Sequence, residues 1–295
     1  MDYLIRGINK NKKIIAYVAR TTKLVEEARI IHQASPTAIA ALGRVLTLTA
    51  IMGKMLKKKE ETISLQIVGN GPLGNIIADA DFVGNVRGYI KRPYIDLPPT
   101  AEGKLDVPSA VGKEGILSVV RDLGLKEPYK SVTHLVSGGI AKDLAYYFIY
   151  SEQQPSAVAA GVYVGKDSKV ISAGGYIVQT LPETEEELIS NIERNINNLE
   201  PPSKMILNGK TPEEIMSSIF IGIDYEMFHP EPLQYSCRCS LERAENALIA
   251  LGEKELEDLL KKERKIDVKC EFCSKIYSFG KEQIEELIRE LKNES

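Results

Sequence analysis

The chain carries four cysteines, Cys237, Cys239, Cys270 and Cys273, and all of them fall in its last fifth as a C-x-C pair and a C-x-x-C pair. Four thiolates delivered from two close turns can close a tetrahedral sulphur shell around one zinc ion, with Zn–S bonds of about 2.3 Å. That constraint matters because a segment of roughly sixty residues buries too little surface to be stable without a staple. A structural zinc contributes about 10–16 kcal/mol, whereas whole domains are stable by only about 5–15 kcal/mol. Loss of the metal is therefore expected to unfold the tail. A thiolate that holds a metal is also one that can be oxidised, so the four sulphurs can serve as a clamp and as a redox trigger. Cys239 immediately precedes Ser240, a candidate N-cap, and the positive end of the helix that follows is expected to lower its thiol pKa.

A chain of 295 residues exceeds the usual single-domain size, which predicts two domains. Acidic and basic residues are nearly balanced (41 against 38) and well mixed, so no basic field is present to hold nucleic acid or an anionic membrane. The N-terminus, MDYLIRGINKNKKIIAYVAR, alternates like a hairpin and lacks the apolar run of a signal peptide. The greasiest stretch, Thr37 to Leu56, contains Arg44 and Lys54 and reads as a buried core helix rather than a membrane span. Without an export signal, thiols in a reducing cytoplasm favour metal binding or catalysis over permanent disulfides.

Residues 1–180 read as one strand-rich α+β core domain. Two strands flank Asn9-Lys10-Asn11, helical spacing covers Thr22–Gln33 and Pro36–Leu56, and glycine-punctuated strands run from Thr62 to about Ile90. Strand-like runs at 115–120 and 131–136, a helix from Ile140 to about Gln153, and strands at 157–164 and 169–180 complete the set. Residues 181–235 form a helical linker region. It opens on Thr184-Glu185-Glu186-Glu187, a capping-box pattern, and restarts at Thr211-Pro212-Glu213-Glu214 after Pro201-Pro202. The region is thin in apolar residues and must lie on its neighbours to be stable. Residues 236–295 read as cysteine pair, helix, helix, cysteine pair, short strand and a last helix with Ile284, Leu287, Ile288 and Leu291 in register.

Several motifs invite enzymatic readings that their context does not support. Gly69-x-Gly71-x-x-Gly74 matches a dinucleotide fingerprint, but Pro72 interrupts it and Asn75–Asp79 reads as a strand where a helix is required. Gly209-Lys210-Thr211 resembles the end of a P-loop, with Lys204 in place of the upstream glycine. His134 and Ser137 are expected on opposite faces of a strand, and His32 and His229 have no implied nucleophile partner. Asp79 and Asp81 read as hairpin carboxylates, and Tyr146, Tyr147 and Phe148 as helix packing with client contact as the minor reading. No catalytic residue is assigned.

The C-x-C, a spacer of about thirty residues and the C-x-x-C together resemble the 33-kDa heat-shock chaperonin family of redox-regulated holdases. The resemblance spans essentially the whole chain through Gly69-Asn70-Gly71-Pro72-Leu73, Val86-Arg87-Gly88-Tyr89, Arg121-Asp122-Leu123-Gly124, Asp143–Phe148, Ser151–Ser156 and Ala173-Gly174-Gly175-Tyr176. It implies an ATP-independent, non-enzymatic chaperone of the cytoplasm, inactive when reduced and loaded with one zinc on Cys237, Cys239, Cys270 and Cys273. It further implies that oxidation pairs Cys237–Cys239 and Cys270–Cys273, releases zinc, melts the linker and exposes apolar surface. The oxidised form would be a homodimer that binds unfolding proteins, and the reduced form a monomer. Gly139 and Lys142 depart from the family, whose members often carry acidic residues there. Two alternatives stand beside this reading. One is a zinc-ribbon adaptor with a purely structural metal, which the acidic tail disfavours. The other is a thiol oxidoreductase using Cys270-Glu271-Phe272-Cys273, which lacks a βαβ context.

Overall fold

The computed structural model describes residues 1–263 and 265–294. It divides into two compact units, Met1–Ser236 and Cys237–Ser295, each of which has its own core.

In the first unit the chain runs β1 (Tyr3–Asn9), β2 (Ile14–Arg20), α1 (Thr22–His32), α2 (Pro36–Lys54), β3 (Thr62–Gly69), β4 (Ile76–Asp81), β5 (Asn85–Ile90), α3 (Val107–Val111), β6 (Gly115–Asp122), β7 (Tyr129–His134), α4 (Ala141–Glu152), β8 (Ser156–Val164) and β9 (Val170–Thr180). It continues through α5 (Glu186–Asn197), α6 (Pro202–Leu207), α7 (Pro212–Ile219), β10 (Tyr225–Met227), β11 (Glu231–Pro232) and β12 (Gln234–Tyr235). This is the α+β architecture expected from the sequence. One sheet has the order β10-β1-β2-β9-β8, with β11 also paired to β1. The other has the order β12-β5-β4-β3-β6-β7.

Successive residues of a strand point to opposite faces, and in the first sheet both faces are covered. Leu4, Tyr17, Ala19 and Ile177 turn toward the larger core that α2 fills. Ile5, Ala16, Val18, Tyr176 and Val178 turn the other way, into a second core closed by α5, α6 and α7. The second sheet is half-covered. Ile63, Leu65, Ile67, Ala78, Leu117 and Val119 are buried, while polar residues such as Ser64, Gln66, Asp79 and Arg87 alternate with their neighbours.

Helix α2 starts cleanly because Ser35 accepts from the Ala38 N–H at 3.3 Å and Pro36 supplies a pre-set first turn. It is 89% buried over its most apolar window, so its length and hydropathy belong to a core helix. At Gly43 a Cβ would come within 2.6 Å of Val25 and 2.7 Å of Val162, and only glycine admits that approach. At its far end the buried Lys54 ammonium donates to the Phe82 and Val83 carbonyls at 3.0 and 2.8 Å, and pairs with Glu231 at 3.0 Å.

The segment after β9 lies on the first sheet. Ile192, Met205, Ile206, Ile215, Met216, Ile219 and Phe220 are buried in the second core. The box at Thr211 forms as the sequence predicts, with reciprocal bonds to Glu214. The box at Thr184 does not form. The Thr184 hydroxyl donates to the Leu181 and Lys13 carbonyls, and α5 starts at Glu186 without a side-chain cap. Pro201-Pro202 opens α6 as well as ending the preceding run, because proline suits a first helical turn.

The second unit contains α8 (Leu241–Ile249), α9 (Glu253–Lys262), the hairpin β13 (Lys265–Lys269) and β14 (Ile276–Gly280), and α10 (Lys281–Glu294). Leu248, Leu256, Ile266, Phe279 and Ile284 form the centre of its core. β13 was not anticipated, although Ile266 and Val268 alternate with charged residues as an edge strand does.

Candidate metal centre

Each cysteine pair is presented by a local turn. Cys237 and Cys239 lie just before α8, where the Ser240 hydroxyl accepts from the Arg243 N–H at 3.2 Å and fixes the helix start. Cys270 and Cys273 sit in the turn between β13 and β14. There the Cys270 N–H donates to the Lys275 carbonyl at 2.9 Å, the Ser274 N–H donates to the Cys270 carbonyl at 2.8 Å, and Ser274 takes a left-handed φ of 59°. The turn is thus held by its backbone, and its two thiols face the other pair.

The four Sγ atoms all lie within 4.8 Å of one another. Cys237 meets Cys270 at 3.6 Å and Cys239 meets Cys273 at 3.3 Å, contacts that run between the pairs. A tetrahedral shell with 2.3 Å bonds requires sulphurs about 3.8 Å apart, and a disulfide requires about 2.0 Å. The thiols are free and half-buried. Their number, softness and spacing fit zinc.

The thiols differ in their surroundings. Burial pushes Cys239 up, and hydrogen bonds from Tyr277 and the other three cysteines outweigh it, bringing the group down to about 7. Burial and the neighbouring cysteines push Cys273 up to about 12, and burial also raises Cys237. The Tyr277 phenol, which donates to Cys239 at 3.2 Å, is itself pushed up to about 12 by that bond. Tyr277 was missed in the sequence because the two residues are 38 positions apart.

The other candidates are engaged elsewhere. His32 lies against the Gly88 carbonyl at 2.9 Å, and His134 and His229 are exposed. Ser137 falls beyond the end of β7, where its hydroxyl donates to Asp143. Buried Asp143 also accepts from the N–H groups of Val136, Ser137, Gly138 and Ile140, a capping role beside Gly139 and Lys142 that sequence reasoning did not single out. Asp79 pairs with Arg87 at 2.8 Å, and Asp81 holds the Gly84 and Asn85 N–H groups. The glycine fingerprint is followed by β4, and Gly71 donates to the Val111 carbonyl, which leaves no helix N-terminus for a phosphate. Tyr147 and Phe148 are core residues, and Tyr146 stacks on Tyr150.

Comparison with known proteins places this geometry. Residues 2–280 match the family model described as Hsp33 protein. The chain is 43% identical over 292 residues to the 33 kDa chaperonin of Caldanaerobacter subterraneus subsp. tengcongensis, covering 99% of both chains. It is 44% identical over 287 residues to that of Bacillus velezensis, covering 97% of this chain and 98% of the relative. The crystal structure of the 33 kDa chaperonin from Thermotoga maritima superposes with a TM-score of 0.90 at 40% identity, covering 99% of each chain. With a four-cysteine cluster able to hold a metal, on a fold shared over its whole length, the chain belongs to the Hsp33 family of non-enzymatic chaperones.

Proposed function

We propose that the chain is a redox-regulated, ATP-independent holdase of the cytoplasm, inactive when reduced and zinc-bound, with Cys237, Cys239, Cys270 and Cys273 as the metal ligands. The observation that carries this reading is the convergence of four sulphurs within 4.8 Å inside the smaller compact unit. Zinc, when bound, supplies the positive charge that lets four thiolates sit side by side. Without that charge the thiols of Cys237 and Cys273 are held above the ordinary range by burial and by their cysteine neighbours. Oxidation that joins Cys237 to Cys239 and Cys270 to Cys273 withdraws all four donors. The second unit, whose core is a small set of buried apolar side chains, then lacks its staple.

In this reading residues 1–180 are the stable platform, 181–235 the segment that lets go, and 236–295 the switch. Release of α5, α6 and α7 would bare Ile5, Ile14, Val18, Tyr176 and Val178, an apolar face suited to unfolding client proteins. The active form is taken to be a homodimer and the reduced form a monomer, on the strength of the family resemblance.

The test is suppression of light scattering from a heat-denatured client enzyme, run with zinc-loaded reduced protein and with protein oxidised by peroxide at raised temperature. Activity confined to the oxidised, metal-free sample supports the proposal. Equal activity in both samples refutes it.

A further inference from the structure

We propose that Tyr277 is a positioning residue of the sulphur switch: its hydroxyl, bonded to Cys239 Sγ, governs how tightly the centre holds its metal and how fast Cys239 is oxidised. This rests on the zinc and redox reading above and names a determinant of its set point.

The geometry points to Tyr277 for three reasons. The residue is only 9% exposed and belongs to the core of the second unit, in the same cluster as Phe279, Ile284 and Leu256. Strand register fixes it opposite Val268 in the β13–β14 hairpin, and Lys275 Nζ lies 4.8 Å from its ring centroid, so the ring is held on more than one side. The hydroxyl then reaches Cys239 Sγ at 3.2 Å, and Cys239 packs against the same core. Cys237 and Cys273 accept from backbone N–H groups, those of Cys239 and Lys275. Cys239 accepts from a side chain, which a substitution can remove without disturbing either turn.

An O–H donor on a thiolate draws charge from the sulphur and occupies a lone pair. In the attack on hydrogen peroxide, a sulphur lone pair forms an S–O bond while the O–O bond breaks. The second oxygen leaves as hydroxide and takes up a proton to become water. A second thiolate then attacks the sulphenic sulphur, the S–S bond forms, and the S–O bond breaks with loss of hydroxide. Two electrons pass from the sulphurs to the peroxide. Tyr277 competes for the electrons that start this sequence, so it slows the first step at Cys239 while steadying the same sulphur as a ligand.

The experiment compares full-length wild type with Tyr277→Phe, which keeps the ring and removes the hydroxyl. Zinc affinity is measured by competition with a chromophoric chelator. Peroxide oxidation is followed site by site, by trapping sulphenic acid and mass-mapping the Cys239 and Cys270 peptides. Partners just outside a metal's ligands carry about 10- to 100-fold in affinity, so the variant is expected to bind zinc at least about tenfold more weakly. Oxidation at Cys239 is expected to accelerate by a similar factor, with a smaller change at Cys270. Unchanged affinity and unchanged Cys239 oxidation in a variant that still binds zinc overturn the assignment and leave the switch reading intact. A wild type that takes up no zinc overturns the switch reading itself, and the assignment with it. Should amide exchange show that Tyr277→Phe loses its core, wild-type protein loaded with a spin-active cadmium isotope decides. Scalar coupling between the Tyr277 hydroxyl proton and the metal supports the bond, and its absence overturns it.

Discussion

Helix α5 offers a direct measure of how weakly the segment after β9 is held. Ile192 is its one fully buried side chain, while Leu188 and Ile196 are only partly covered. Its other anchor is Asn195, whose amide donates to the Ile219 and Ile221 carbonyls, both at 2.9 Å. A cleft of about 230 Å³ lined by Ile149, Val178, Ile189, Ile192 and Ile196 runs beneath the helix, so its packing is incomplete. Replacing a buried isoleucine by alanine costs about 2–5 kcal/mol, and a site already bordering a cleft falls in the lower half of that range. For Ile192→Ala about 2–3 kcal/mol corresponds to a 30- to 150-fold shift toward undocked α5. Native-state amide exchange is the assay. Protection across Glu186–Asn197 should fall by that factor while β2 and β9 keep theirs, and the reduced variant should gain partial aggregation-suppressing activity. An equal loss of protection in β2 and β9 would show that α5 does not come away separately and would refute the argument.

Three further outcomes are expected. Cys239→Ser should lower zinc content in metal analysis of purified protein and remove amide protection from the second unit while leaving β1 to β9 protected; retained protection throughout residues 240–294 would contradict the staple. Thr211→Ala, which deletes a cap made to the Glu214 N–H at 3.3 Å, should cost about 1 kcal/mol in α7, seen as weaker protection over Pro212–Ile219. In metal-free reduced protein the second unit should be unfolded, so alkylation of Cys239 and Cys273 should move toward the ordinary thiol range, away from the values of about 7 and about 12 that the folded cluster imposes. The signs follow from linkage. A thiol lowered from 9 to about 7 favours the folded state above pH 9, and that support is lost as pH falls through 7; one raised to about 12 favours it below pH 9, and that support is lost as pH rises through 12. Alkylation of Cys239 far ahead of Cys273 at pH 8 in metal-free protein would show that the unit stays folded without its staple.

The elements legible in the sequence were those whose pattern is strong and local. Helix α2 announced itself by Ser35, Pro36 and an apolar run, and the first two strands by their alternation about a polar turn. The cysteine cluster was legible because metal ligation leaves a spacing signature that survives without tertiary information. What escaped depends on distant contacts. β11 and β12 are two residues each and exist only because β1 and β5 offer them an edge. The Thr184 box does not form, and the Thr184 hydroxyl turns instead to the Leu181 carbonyl at 2.6 Å and the remote Lys13 carbonyl at 3.1 Å. Hydrogen bonds from Tyr277 and the other three cysteines lower Cys239, and Tyr277, 38 positions away on a strand, is a neighbour that local spacing cannot reveal.

The pattern of sulphur contacts explains why the pairing chosen on oxidation decides the mechanical outcome. In the folded cluster Cys237 lies 3.6 Å from Cys270 and Cys239 lies 3.3 Å from Cys273, across 33 and 34 positions. Disulfides along those contacts would close long loops and stabilise the unit by about 4 kcal/mol each in a chain-entropy account. They would replace one staple by another, and the switch would not open. Disulfides within each turn close loops of only a few residues, constrain far fewer unfolded conformations, and leave no covalent or metal link from the start of α8 to the β13–β14 turn. On the pairing that the family resemblance implies, peptide mapping of the oxidised protein should find Cys237–Cys239 and Cys270–Cys273 in the active fraction. An active fraction carrying the cross-pairs would mean that the second unit stays closed while the protein works, and the uncovering of apolar surface would have to begin elsewhere.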